Sequence, residues 1–386
     1  MATFALGTWP NLRFARAQRD SRKGEDRCTT PEASEAAPHL PCAFAIFDGH
    51  SGSVTAAVCA NEVCKRLLAA GPPFSESTIA DVFWSVDEEV GMMGARDGAT
   101  ATVLLVEDGG KHGGFRCTLA WCGDSSAVVS DMSDGTVLFA TASHTAGPDH
   151  QGGGAHEQER QQLAMYSAVR QHLEEQHGID SSANEVSVEM VRKALTAVHV
   201  SDSKEREAEL VALLMRALRR SRLMANKLPD KAQSRKQLYV RQRDPEHDVN
   251  RVWVVSTAQH RSDPGYFDLQ MTRSIGDWRA SDMVLPEPHV HRFDVPFDCI
   301  FRVCLASDGL WDCCRFEDSA KEMWRARSVA SASRSLIRYA EKEYLEERGH
   351  DLMDDDTTVL VIELSPSSKA HTPPKAAAAE AGCVLS

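Results

Sequence analysis

Apolar residues in this chain gather into short unbroken runs, each closed by Gly, Asp or Ser: AFAIF at 43–47, ATVLLV at 101–106, FRCTLAWC at 115–122, RVWVVST at 251–257, IFRVCLA at 300–306 and TTVLVIEL at 357–364. Such runs, rich in β-branched and aromatic residues, predict strands. Helical periodicity follows the first of them in SVTAAVCANEVCKRLLAA (53–70) and precedes the last in SVASASRSLIRYAEKEYLEE (328–347). Only eight residues, 107–114, separate the second and third strands, a link that suits an antiparallel hairpin better than a parallel crossover. The chain is therefore mixed α and β.

Between about residues 150 and 245 the pattern changes to polar, helix-favouring sequence: HEQERQQLAMYSAVRQHLEEQHG, EVSVEMVRKALTAVHV and EREAELVALLMRALRRSRLM. This reads as a helical insertion in a domain covering 1–365. Residues 366–386 lose apolar periodicity and gain Pro, Ser and Ala, as a flexible tail does. The basic, acid-free N-terminus MATFALGTWPNLRFARAQR has the charge of a targeting leader, but it is read as an opening strand.

Composition narrows the function classes. A hydrophobic content of 42% supports a substantial core, and a net charge of -13 argues against binding nucleic acid through the whole surface, so no nucleic-acid partner is expected. Eleven cysteines without a C-x-x-C pair read as reduced thiols, which points to a cytoplasmic protein. Against the net charge, residues 216–243 hold ten Lys or Arg and one Asp. That stretch is either a solvated basic face or a docking surface for anionic lipid, acidic partners or a calmodulin-like receptor. The mixed His and Glu of HEQER lack a trusted ligand spacing and read as a polar helix face. The last four residues, Cys383 to Ser386, fit the C-a-a-X pattern for farnesylation of Cys383, which predicts reversible membrane association.

The chemistry is carried by aspartates at strand ends: Asp48 after AFAIF, Asp124 after TLAWCG, Asp308 after CLAS and Asp355 before TTVLVIEL. Each alone is an ordinary turn residue. Gathered at one edge they would repel unless cations lay between them. Hard oxygens without a nearby Cys or His cluster select Mg²⁺ or Mn²⁺. His50, directly after Asp48 and Gly49, exceeds what a turn needs.

The segments FDGHSG (47–52), GATATVLLV (98–106), WCGDSSAVV (121–129), LQMTRSIGDW (269–278), LASDGLWD (305–312) and DDTTVLVIEL (355–364) together resemble the metal-dependent type 2C protein serine/threonine phosphatases, in that family's order. The resemblance implies an α+β fold, a β-sandwich of two antiparallel sheets flanked by helices, and a monomer acting on phosphoprotein substrates. It implies two Mg²⁺ or Mn²⁺ ions and a possible third, activating a bridging water. On this matching Asp48 bridges both ions, the Gly49 carbonyl adds a ligand, Asp308 and Asp355 hold one ion, Glu25 and Asp26 act largely through coordinated waters, and Asp124 serves a third site shared with Asp308. His50 becomes the general acid.

Three departures stand out. Ser21 occupies the place of the family's phosphate-clamping arginine, so Arg22 is nominated for that role, with Arg19 as substitute. Ser126 and Asp356 replace the usual arginine and asparagine, neither substitution removing a ligand. Arg273 and Asp277 also match the family, but hydrogen bonding at the core edge is the expected role for both. The displaced arginine motivates one alternative, an inactive phosphatase fold that binds phosphoproteins.

Overall fold

A computed structural model describes residues 3–9, 11–21, 23–31, 40–109, 113–147, 156–177, 186–198, 204–227, 239–242, 253–257, 267–278, 280–348, 355–369 and 371–373. Arg22 and Cys383 lie outside the described residues. Two antiparallel sheets face one another. The larger has six strands in the order Thr3–Thr8, Leu12–Arg19, Thr357–Leu364, Phe301–Ala306, Ser126–Asp131 and Val137–Ala140. The other has five, in the order His289–Val295, Phe115–Cys122, Ala101–Asp108, Cys42–Phe47 and Arg27–Thr29. The short link at 107–114 joins an antiparallel pair, Ala101 opposite Cys122 through Asp108 opposite Phe115.

Eight helices are described: α1 Val54–Ala70, α2 Glu76–Met93, α3 His156–His177, α4 Val188–Ala197, α5 Lys204–Lys227, α6 Asp308–Trp311, α7 Phe316–Arg325 and α8 Val329–Arg348. Among the described residues no helix is long and apolar enough to cross a membrane. Side chains alternate across a strand, so each sheet has two faces to cover. Leu12, Phe14, Phe44, Ile46, Leu104, Leu119, Val303, Leu305, Leu360 and Ile362 form the core between the sheets. The alternate residues Ala43, Ala45, Phe47, Val103 and Leu105 pack under α1 and α2. Ala17, Val128, Cys304, Ala306, Val359 and Val361 pack with α6 to α8. Where both faces are buried, as along Cys42–Phe47, the strand sequence is continuously apolar and does not alternate.

The inserted helices make a further cluster in which Tyr166, Val169, Leu173, Val191, Leu195, Leu214 and Ala217 pack with Ala80 and Trp84 of α2. This docking corrects two readings of the sequence. Glu159 in HEQER is buried and bound to Thr272 and Arg273, so that helix face is not solvated. Within the basic stretch, Arg216 pairs with Glu287 and Asp81, Arg219 with Glu88, and Arg220 with Asp87. These arginines serve internal contacts, while residues 228–238 and 243 lie outside the described residues.

Trp84, 5% exposed, joins the two parts by packing against the inserted helices and donating its indole N–H to Glu287. Trp84→Ala is expected to cost about 3–5 kcal/mol of unfolding free energy, measured by urea titration of the full chain.

Candidate active site

Register brings the strand-end acids together. Thr357 pairs with Arg19, and Val359 pairs with Ala306, which also pairs with Ser126; Arg27 pairs with Phe47 in the other sheet. Strand ends at residues 20–26, 48, 124, 307–308 and 355–356 therefore meet at one edge of the sandwich. Asp48 and Asp26 are buried there, and Asp124, Asp308 and Asp355 are half-buried.

Electrostatics records their proximity. Burial raises the Asp48 carboxyl well above the ordinary range, reinforced by the charges of Asp26, Asp308, Asp355 and Asp124. Asp308 is raised in the same way, by burial and then by Asp312, Asp355, Asp124 and Asp26. Burial first, with neighbouring acids adding to it, brings Asp26 and Asp124 each to about 6. Asp312, in the quoted LASDGLWD, is a member of this acidic group that the sequence reading did not nominate.

The donor set fits divalent cations. Oδ1 of Asp26, of Asp124 and of Asp308 is buried without a hydrogen-bond partner among the described residues, although each is a strong acceptor. Asp26 uses its other oxygen to accept from Ser307 at 2.8 Å. Mutually repelling hard oxygens with unused lone pairs are the environment that Mg²⁺ or Mn²⁺ satisfies. Asp48, Asp308, Asp355 and Asp124, with Asp26, Glu25 and the Gly49 carbonyl on the adjoining segments, are the residues that would hold them.

Asp356 organises the loop beside these acids. Its carboxylate accepts backbone N–H groups from Ser21 at 2.5 Å, Gly24 at 3.3 Å, Glu25 at 2.5 Å and Asp26 at 3.2 Å. Burial opposes its charge, but the hydrogen bonds from Ser21, Asp26 and Glu25 outweigh that and hold its carboxyl below the ordinary value. An asparagine would offer one acceptor oxygen where this loop uses two. The aspartate at this position is thus explained by the N–H groups that converge on it.

Lys23 is a site residue the sequence reading missed. Its Nζ lies 2.5 Å from Asp355 Oδ2, and its pKa is raised: burial works against the charge, but Asp355, Asp308 and Asp48 prevail. Arg19, the substitute phosphate ligand, is instead ion-paired with Glu341 of α8.

His50 leaves the edge of the acidic cluster on a three-stranded ribbon in the order Ile275–Gly276, Gly98–Ala99 and Gly49–His50. Its Nε2 is 2.8 Å from Asp277 Oδ2, leaving Nδ1 buried and unpartnered among the described residues. Burial disfavours the imidazolium, yet Asp277, Asp124 and Glu25 together raise its pKa above the usual histidine value. Gly98 makes the pairing possible: a Cβ there would lie 2.3 Å from Asp277 Oδ2 and 2.5 Å from His50 Nε2. Asp277 therefore has a direct contact with His50 beyond the core-edge role expected for it. Arg273 does have such a role, binding Glu159 and the Glu287 carbonyl.

His144, Glu159 and His289 also converge, with donor atoms within 4.8 Å of one another. Their lone pairs are already engaged. His144 Nδ1 accepts from Gly123 N–H at 3.1 Å, its Nε2 lies 3.0 Å from His289 Nδ1, and Glu159 is neutralised by Arg273. Burial and Arg273 lower both histidine pKa values. This is a neutral hydrogen-bond relay, not a cation site.

Comparison with known proteins agrees with the motifs. The sequence profile described as "Protein phosphatase 2C" matches residues 11–164 and 240–347. A probable protein phosphatase 2C 5 from Arabidopsis thaliana is 23% identical over 367 residues, covering 92% of this chain and 62% of its own length. A probable protein phosphatase 2C 69 from Oryza sativa subsp. japonica is 24% identical over 369 residues, covering 92% of this chain and 64% of its own length. The chain thus spans less than two thirds of these relatives. In fold it is similar to a serine-threonine phosphatase 2C from Toxoplasma gondii, at TM-score 0.59 and 13% identity over 95% of this chain and 99% of that one. It is also similar to a C. elegans sex determining protein, at TM-score 0.53 and 16% identity over 96% of this chain and 67% of that one.

The raised acids set a pH dependence. For Asp26 and Asp124 the folded value of about 6 exceeds the unfolded value near 4, so their contribution to stability is full below about pH 4 and is lost as pH rises through about 6. In chelator, the melting temperature is expected to fall between pH 5 and 7.5, and added Mn²⁺ is expected to raise it chiefly at pH 7.5. A chelated protein whose melting temperature does not fall over that range would contradict the assignment.

Proposed function

Because the chain belongs to the protein phosphatase 2C family, we infer that it hydrolyses phosphoserine and phosphothreonine in proteins with Mg²⁺ or Mn²⁺ held by its strand-end acids. The observation that supports this most strongly is the meeting of Asp26, Asp48, Asp124, Asp308 and Asp355 at one sheet edge, with buried oxygens lacking partners, beside a histidine oriented by Asp277.

Two divalent ions bound there would supply charge stabilisation of the phosphoryl oxygens and activation of a water for in-line attack. Asp48, which feels the charges of Asp26, Asp308, Asp355 and Asp124, would be the central ligand of these ions. Asp308 and Asp355 would hold an ion from the larger sheet, Asp124 with Asp308 a third, and Glu25 and Asp26 would contribute from the adjoining loop. As the water oxygen bonds to phosphorus and the bond to the seryl or threonyl oxygen breaks, His50 gives its Nδ1 proton to the departing oxygen. The water's proton passes to solvent, and His50 is then reprotonated from solvent. Asp277 keeps the imidazole in its acid form and fixes Nε2, so the transferable proton is at Nδ1.

Asp48→Asn and Asp308→Asn are each expected to lower Mn²⁺-dependent phosphopeptide hydrolysis at least about 100-fold, since even outer-shell losses at metal sites cost about 10–100-fold. Wild-type protein that binds Mn²⁺ without turnover would favour the alternative, an inactive phosphoprotein-binding scaffold. That reading is supported by Arg19, whose guanidinium is engaged with Glu341.

Lys23 and a divalent ion compete for Asp355. The lysine is about half exposed, so its hold is weak. Lys23→Met is expected to lower the Mn²⁺ concentration for half-maximal activity by about two- to fivefold, read from a Mn²⁺ titration.

A further inference from the structure

The turn carrying Asp277 is held from the inserted helices. Gly276 and Asp277 both have positive φ, 91° and 55°, a region that L side chains rarely adopt, so the turn needs support from its surroundings. Both sides of the Gly276 residue are clamped by one buried ion pair. Its N–H donates to Asp87 Oδ1 at 2.8 Å, and its carbonyl accepts from Arg220 Nη2 at 2.5 Å. Arg220 Nε in turn donates to Asp87 Oδ2 at 2.8 Å, and its Nη1 to the Ser281 carbonyl at 3.2 Å. The guanidinium also lies 5.2 Å from the ring centroid of Trp278. Arg220 and Asp87 are both fully buried.

Neighbouring contacts extend the grip. From α3, Glu159 binds Arg273 and Arg170 binds Asp282 at 2.7 Å; Ser221 of α5 also binds Asp282. The insertion therefore holds Arg273, Gly276 and Asp282, and Asp277, next to Gly276, carries the carboxylate that orients His50. A guanidinium suits the task because its planar fork reaches several acceptors at once.

We propose that Arg220 is a positioning residue for catalysis: by locking the Gly276–Asp277 turn it aims the His50 imidazole, which makes the helical insertion part of the catalytic apparatus. This rests on the proposed phosphatase reading and on His50 as its general acid. A misaimed acid matters most when the departing oxygen is basic, so the loss should depend on the leaving group, whereas a general loss of folded protein would not.

The test compares kcat of the full chain with Mn²⁺ on phenyl phosphate and on 4-nitrophenyl phosphate, whose leaving group needs little protonation. His50→Gln is expected to lose far more on phenyl phosphate, within the roughly 10²–10⁴-fold range of general acid catalysis. Arg220→Met should show the same bias, losing about tenfold or more on phenyl phosphate relative to 4-nitrophenyl phosphate. Arg220→Lys, which retains the charge beside Asp87, should recover part of the ratio, and Arg216→Met on the same helix should leave it unchanged. An Arg220→Met enzyme that keeps the wild-type ratio overturns the inference. If that variant does not fold, Arg220→Lys decides, and a wild-type ratio there overturns the inference as well. A His50→Gln enzyme without leaving-group bias defeats the general-acid reading itself, separately from the role of Arg220.

Discussion

Repulsion among carboxylates at one edge of the sandwich is the constraint on which the rest of this structure turns. The sheets are held by apolar burial that would be satisfied equally well by Ser or Asn at the strand ends. Instead the chain places Asp26, Asp124 and Asp355 where, with burial, their charges raise the cost of ionising Asp48 and Asp308. Such an arrangement is unfavourable for the protein alone and favourable once hard cations are bound. Stability is conceded at the place where chemistry is needed, and the surrounding core makes the concession tolerable. The buried ion pair Arg302 with Glu363, on adjacent strands, shows the opposite solution, where charge is cancelled internally.

Asp356 and Lys23 fit the same picture from opposite sides. Asp356 belongs to the same chain segment as Asp355, yet four backbone N–H groups satisfy its charge and its pKa falls. The loop from Ser21 to Asp26 is thereby pinned against the larger sheet, delivering Glu25 and Asp26 to the acidic edge. Lys23 supplies one positive charge to that edge through Asp355. One carboxylate thus builds the loop, and its neighbour faces the acidic edge.

Much of the frame was legible in the sequence because it is local. Continuous apolar runs ended by Asp marked the strands and the strand-end acids, and an eight-residue link marked a hairpin. What escaped were pairings that no local pattern encodes. Arg220 and Asp87 are 133 residues apart, and Arg220 sat inside a basic run whose composition suggested solvent or a partner. Glu159 was hidden in the same way, in a segment polar enough to resemble a surface helix. Gly98 lay within a recognised motif, but its reason, room for the His50 and Asp277 side chains, exists only after three short segments pair.

The polar character of the insertion takes on a different meaning once its docking is known. Apolar contacts through Trp84, Leu214 and Ala217 bring these helices against α2, and such contacts are non-directional. They fix that the helices dock; they do not fix the dihedral angles of a turn in a neighbouring segment. Directional charge pairs do: the guanidinium of Arg220 has acceptors on Asp87, Gly276 and Ser281, and rotating the Gly276 peptide would leave a buried charged group underused. The cost of burying Arg220 is therefore offset only in the arrangement that also presents Asp277 to His50. The insertion and the histidine are coupled because one peptide unit has to satisfy both.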